Sequence, residues 1–117
     1  MKKYIPIPGN EARVATHIKI EVRYLKGGLN YFTYKEEPRG IYVIVTPVEL
    51  TDQGGYQMES FTAFSGTKCC VKALKRKSEK AEQEVWAKIE PLCERIAKGF
   101  LTHSVIGVHS VLEEAGL

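Results

Sequence analysis

The sequence predicts an α+β fold in which an antiparallel meander of four or five strands packs against a long C-terminal helix. Three observations predict it. Apolar and polar residues alternate between Val14 and Leu25, which is the period of a half-buried strand. Glycine and proline turns separate the apolar segments that follow it. An apolar stripe of helical period then runs from Cys70 to Ile96.

The length of 117 residues fits a single domain spanning 1–117. Apolar residues make up 44% and charged residues 26%, as in ordinary globular proteins. Residues 1–13 contain two prolines and no apolar run typical of a signal peptide, so we expect an extended N-terminal lead-in that could follow a sheet edge. No segment approaches the roughly 20 apolar residues of a membrane span. We therefore expect a soluble cytoplasmic protein.

Four strands are predicted in order along the chain. The first is the cleanest, because Ile18, Ile20, Val22 and Tyr24 alternate with polar residues. Gly27 and Gly28 end it in a tight turn. The others are predicted at Asn30–Lys35, Ile41–Val48 and Tyr56–Phe64. Because the turns are short, consecutive strands should pair in a meander with one face on the core.

The predicted helix covers Thr67–Ile89 and continues toward Ile96. Its apolar stripe comprises Cys70, Leu74, Ala81, Val85, Ile89, Leu92 and Ile96. An alternative makes Lys68–Leu74 a fifth strand and starts the helix near Ser78, but the continuous stripe favours the helix. Pro91 should kink it, and Lys98-Gly99 should end it.

The tail, residues 100–117, should form a short terminal helix beginning near Ser110, where Ser110 and Glu113 match a capping box. The tail and the large apolar residues Val85 and Trp86 exceed what one small sheet should cover. A homodimer or larger assembly is therefore expected.

No motif predicts a catalytic centre, a metal site or a cofactor. The histidines (His17, His103 and His109) lack metal-ligand spacing, and the three cysteines form neither a zinc pattern nor a disulfide framework. Cys69 and Cys70 lie near lysines, but no histidine base is identified for them. The sequence thus disfavours enzymatic activity.

The charge pattern suggests a nucleic-acid-binding surface. Between residues 68 and 80 the chain has six basic residues against one acidic residue. On a helix, five of these would form a basic face that adds diffuse attraction: Lys68, Lys72, Lys75, Arg76 and Lys80. On the uncovered face of the sheet, Lys19, Arg23 and Lys35 should meet phosphates, with Tyr31 and Tyr42 as stacking platforms. We expect a single-stranded nucleic acid as partner.

In topology alone, a four-stranded meander followed by a long helix over His17–Ile89 resembles the positive-cofactor-4-like and Whirly-like single-stranded DNA-binding proteins. The resemblance implies DNA binding on the sheet and assembly through helices and strands. No motif of either family is present, so no site residue is transferred. The alternative is a protein-interaction or structural subunit that binds another protein through strand edges and the amphipathic helix, with no nucleic-acid role.

Overall fold

A computed structural model describes residues 1–8, 15–31, 34–51, 54–58 and 66–117. The strands are β1 (Lys2–Pro6), β2 (His17–Leu25), β3 (Gly28–Asn30), β4 (Lys35–Glu37), β5 (Gly40–Leu50), β6 (Tyr56–Met58) and β7 (Thr67–Ala73). The helices are α1 (Glu79–Ile89) and α2 (Cys93–Glu114), joined by a 3₁₀ turn at Glu90–Leu92. The predicted α+β fold, with an antiparallel sheet and a long C-terminal helix, is confirmed.

The main sheet is organised around β5. Strands β1, β2 and β5 lie side by side, and all their pairings are antiparallel. The other edge of β5 is shared, because β7 pairs with Gly40–Val45 and β6 pairs with Val48–Leu50. Pro47, which has no N–H to donate, falls in the interval between these two partners. The sheet therefore has four strand positions and five strands.

The helices cover one face of the sheet. Inward side chains of β2 and β5, such as Ile20 and Val45, are fully buried against the apolar sides of α1 and α2. Ser78 caps α1, and its hydroxyl oxygen accepts a hydrogen bond from the Ala81 N–H at 3.2 Å. Val85 and Trp86 pack into this core, Val85 buried and Trp86 partly so. Their size is therefore used within the chain itself.

The second predicted strand was wrong. Asn30 and Lys35 belong to β3 and β4, which form a two-stranded hairpin separate from the main sheet, and residues 32–33 of this prediction lie outside the described residues. The place beside β2 that this strand was expected to occupy is taken by β1, from the predicted lead-in, which pairs antiparallel with β2 over Lys2–Pro6. Of the predicted strand Tyr56–Phe64, the structure shows Tyr56–Met58, and the remainder lies outside the described residues.

The helical interpretation of Lys68–Leu74 was also wrong. This segment is mostly edge strand β7, and the helix begins after Ser78, as the alternative had it. Pro91 does interrupt the helix, in the 3₁₀ turn. Gly99 does not end the next helix, which runs to a break at His103 and Ser104 before resuming, earlier than the predicted start at Ser110. Among the described residues, no helix is long and apolar enough to span a membrane.

Candidate nucleic-acid interface

The strand register separates the two faces of the sheet. On β2, the residues that alternate with the core positions face away from the helices, and their neighbours on β1, β5 and β7 share this orientation. We call this surface the open face. It includes Lys2, Tyr4, Lys19, Glu21, Arg23, Tyr42, Ile44, Lys68 and Cys70.

Three of the predicted nucleic-acid-binding cations share the open face, although Lys68 was expected on a helix. Lys19 and Arg23 lie on β2, and Lys68 lies on β7, with β5 between them. Because neighbouring strands are about 4.8 Å apart, β2 and β7 are separated by about 10 Å. Arg23 is exposed, and its guanidinium lies 3.8 Å from the partly buried carboxylate of Glu21. The sheet thus holds positive charge on both sides of its central strand.

Tyr42 is not the predicted stacking platform. Its side chain faces the open side, but it is only 2% exposed, and its hydroxyl donates a hydrogen bond to the carbonyl oxygen of Pro38. Burial, followed by the nearby Cys70 and Glu37, raises the pKa of Tyr42 to about 12. A ring enclosed in this way cannot stack on a base without a rearrangement of the protein.

The β3–β4 hairpin borders the open face and is held there by polar contacts. The Lys68 Nζ lies 3.0 Å from Oε2 of Glu37, whose Oε1 accepts a hydrogen bond from Asn30 Nδ2 at 2.7 Å. The hydrogen bonds from Lys68 and then Asn30 hold the pKa of Glu37 below its usual value. A cavity of about 440 Å³ lies between hairpin and sheet, lined in part by Leu25, Asn30, Glu37, Tyr42 and Lys68.

The hairpin presents two highly exposed aromatic rings. Tyr31 is 76% exposed and Tyr34 is 81% exposed. Lys35 follows them on β4 and is also exposed. Tyr34 was not predicted as a site residue, although the sequence spacing of aromatics around the turn could have indicated it. The hairpin therefore combines two accessible rings with a cation at one end of the open face.

The predicted basic helix face does not exist as such. Lys72 lies near the end of strand β7, and Lys75 and Arg76 lie in the turn before α1. All three are exposed. Arg39, which sequence reasoning missed, reaches this turn, with Nη1 donating to the carbonyl oxygen of Lys75 at 3.4 Å. These residues form a basic surface patch beside the sheet, and they do not belong to the helices that cover it.

Sequence reasoning also missed the contribution of the edge strand. Tyr4 pairs with Lys19 and therefore faces the open side, and Lys2 pairs with Glu21 on the same side. The Lys2 Nζ lies 5.9 Å from the centre of the Tyr4 ring. Lys2 and Tyr4 are two residues apart, as side chains on one face of a strand are, but the sequence does not show which strand they lie beside. Interpretation of this spacing required knowing that the segment is a strand.

A cysteine–histidine contact lies on the opposite side of the sheet. Cys69 Sγ is 3.7 Å from His109 Nε2, a distance that permits a weak hydrogen bond. However, Cys69 is buried, and burial raises the pKa of its thiol. A catalytic cysteine needs the opposite shift, toward thiolate at neutral pH. The contact therefore gives little support to a nucleophilic site.

Within the described residues, no group of three or more His, Cys, Asp or Glu side chains is arranged to hold a metal ion. Comparison of the chain with protein-family models, with curated proteins and with solved structures gave no significant match.

Proposed function

We propose that this chain is a non-enzymatic domain that binds single-stranded nucleic acid across the open face and the β3–β4 hairpin. The observation that supports this most is that Lys19, Arg23 and Lys68 share one sheet face and that Lys68 contacts, through Glu37, the hairpin that carries exposed Tyr31 and Tyr34. Single strands are bound by just these two elements together, cations for phosphates and aromatic faces for unpaired bases.

The electrostatic part of the proposal rests on cations of the two strands that flank β5. Lys19 and Arg23 follow each other along one side of β2, spaced by about 13 Å for four residues of strand. A flexible phosphate backbone that crosses the sheet can contact both. Glu21 and Glu37 reduce the local charge, because they pair with Arg23 and Lys68. Such a surface should bind moderately and with a strong dependence on salt.

The stacking part rests on the hairpin and not on Tyr42. Tyr31 and Tyr34 are accessible without any rearrangement, and each stacked base contributes about 1–3 kcal/mol of binding free energy. Base stacking is tolerant of sequence, so we expect weak sequence preference.

We also propose a cytoplasmic location for this domain. The three thiols form no disulfide in the structure, which fits the reducing environment of the cytoplasm.

The test is fluorescence anisotropy with labelled single strands of about 15 nucleotides at roughly 50 mM salt, compared with a duplex of the same sequence. We expect binding of the single strand by wild type, and weaker binding by Arg23→Glu and by Tyr31→Ala. Lys88→Glu is the matched control, because it makes the same charge reversal at an exposed residue of α1, on the helix side of the sheet.

Absence of binding by wild type would refute the proposal, as would an equal loss for Lys88→Glu and Arg23→Glu. A protein that instead co-purifies with a partner through high-salt washing, and binds no oligonucleotide, would support the role of a protein-interaction subunit.

A further inference from the structure

Helix α2 is broken at an unfavourable backbone conformation. His103 has φ −133° and ψ 16°, and Ser104 has φ +55° and ψ −136°. Positive φ with strongly negative ψ is disfavoured for a residue with a Cβ, and it persists only where surrounding contacts enforce it. The break divides α2 into a first arm, residues 93–102, and a second arm, residues 105–114. These two hinge residues form the covalent connection between the arms.

The second arm supplies core residues that the domain cannot leave exposed. Val108, Val111 and Leu112 are between 0% and 8% exposed, packed in the same core cluster as the sheet. The arms also approach each other closely at Gly99 and Gly107, where an added Cβ on Gly99 would lie 2.7 Å from the carbonyl oxygen of Gly107. If the second arm left this position, an equivalent segment would have to replace it.

The hinge is followed by exposed apolar side chains. Val105 is 39% exposed and Ile106 is 74% exposed, although both belong to a helix whose next turn is buried. Within a single chain, neither side chain is buried in the core. Both lie directly beside the hinge, and two copies of the chain would cross at this point if they exchanged their second arms.

We propose that the second arm is exchanged between two copies of this chain, giving a domain-swapped homodimer. His103 and Ser104 become helical, and residues 93–114 form one straight helix about 33 Å long. The second arm then points away from its own core and occupies the corresponding groove of the other copy. Every core contact is retained, the unfavourable conformation is relieved at two hinges, and Val105 and Ile106 of the two copies meet at the crossing.

The partner is a second copy because the surface that holds the second arm is specific for this segment. The backbone at Gly99 leaves room for the backbone of Gly107, and an ion pair joins Arg95 of the first arm to Glu114 of the second. In the exchanged dimer the same ion pair forms between copies. The inference does not rest on nucleic-acid binding and would stand if that binding were absent.

The first test measures mass by light scattering after size-exclusion chromatography, on protein refolded at low and at high concentration. We expect a monomer–dimer equilibrium that shifts to dimer at high concentration. Ser104→Gly accepts the positive φ and should raise the dimer dissociation constant about tenfold or more, whereas Ser104→Ala, a better helix former, should lower it. Ser110→Gly, at an exposed position within the second arm, controls for a glycine in a helix without altering the hinge.

A second test identifies the exchange itself. Arg95→Glu protein and Glu114→Arg protein each place like charges together within one chain, but an exchanged heterodimer pairs opposite charges at both positions. Differently tagged versions, refolded together, should therefore give more mixed dimer than two wild-type versions do. A protein that stays monomeric at all concentrations overturns the proposal. A dimer that is unaffected by Ser104→Gly and shows no preference for the mixed pair overturns it as well.

Discussion

The Lys68 ammonium lies 3.0 Å from the Glu37 carboxylate, and this ion pair joins edge strand β7 to the β3–β4 hairpin. The two residues are 31 positions apart in sequence and come from different sheets. Asn30 donates to the same carboxylate from within the hairpin. The position of the hairpin over Tyr42 thus depends on a charged contact at the rim of the open face.

Replacement of Glu37 by Gln should make the protein less stable at neutral pH and remove part of its acid sensitivity. The pKa of Glu37 lies below its ordinary value of 4.5 in the folded state. Its contribution to stability is therefore present above the unfolded-state pKa and is lost as pH falls through the folded-state pKa. Since the pair is partly solvated, we expect a loss of at most about 1 kcal/mol.

Urea unfolding followed by the fluorescence of Trp86 between about pH 7 and about pH 3 measures this contribution. The difference between wild type and Glu37→Gln should shrink as the pH falls. Glu36→Gln, at an exposed neighbouring position, should follow wild type throughout. A difference that stays constant with pH would show that the charge of Glu37 is irrelevant.

Replacement of Gly107 by Ala should destabilise the protein by about 1–3 kcal/mol or more, because the added Cβ would overlap the carbonyl oxygen of Gly99. Backbone atoms of a packed helix cannot move aside as a flexible side chain can. Gly55→Ala is the matched control, since its new Cβ would meet only Thr51 Oγ1 at an ordinary 3.7 Å. Thermal unfolding of the two variants should differ clearly; equal melting temperatures would mean that the arms are not in close contact.

Removal of the Glu82 carboxylate should destabilise the protein, because this carboxylate joins α1 to the backbone of β2. Glu82 is 8% exposed, and its Oε1 accepts a hydrogen bond from the Tyr24 N–H at 2.9 Å, satisfying a backbone donor near the end of β2. Glu82→Ala leaves that donor without its partner, and we expect a loss of about 1–3 kcal/mol. Glu84→Ala, exposed on the same helix, should change stability little. Urea denaturation of both variants makes the comparison, and equal midpoints would disprove the structural role.

If the open face binds single strands, the salt dependence of binding should report each phosphate contact. Lys19→Gln and Arg23→Gln should each reduce the slope of log K against log salt by about 0.7, with the double variant reducing it about twice as much. Lys98→Gln, exposed on the first arm of α2, should leave the slope unchanged. Titrations at four or more salt concentrations provide the slopes. Unchanged slopes in the strand variants would place the phosphates elsewhere.

The first strand was predictable because its signal is local. Alternation of Ile18, Ile20 and Val22 with polar residues specifies both the strand and its buried face, and the structure buries all three. β7 was not predictable in the same way. It is an edge strand with exposed Lys68 and Lys72 between short apolar residues, and Cys70 and Leu74 happen to continue the helical stripe of α1.

The candidate site was only partly predictable, because burial on the open face depends on distant parts of the chain. The orientation of Lys19 and Arg23 followed from alternation along β2. The burial of Tyr42 did not, since it results from Pro38 and the hairpin, whose position is set by tertiary contacts. The contribution of Tyr4 required the pairing of β1 with β2, which no periodicity within residues 1–8 specifies.

The central position of β5 has a consequence for the dynamics of the domain. Its amides from Gly40 to Val45 lie between two paired strands, and most of its side chains are buried on both faces. Fraying of the edge strand β1 leaves these amides protected, because β1 pairs with β2 and not with β5. Hydrogen–deuterium exchange in Ile41 to Val45 should therefore require global unfolding, and its rate should report the full stability of the protein.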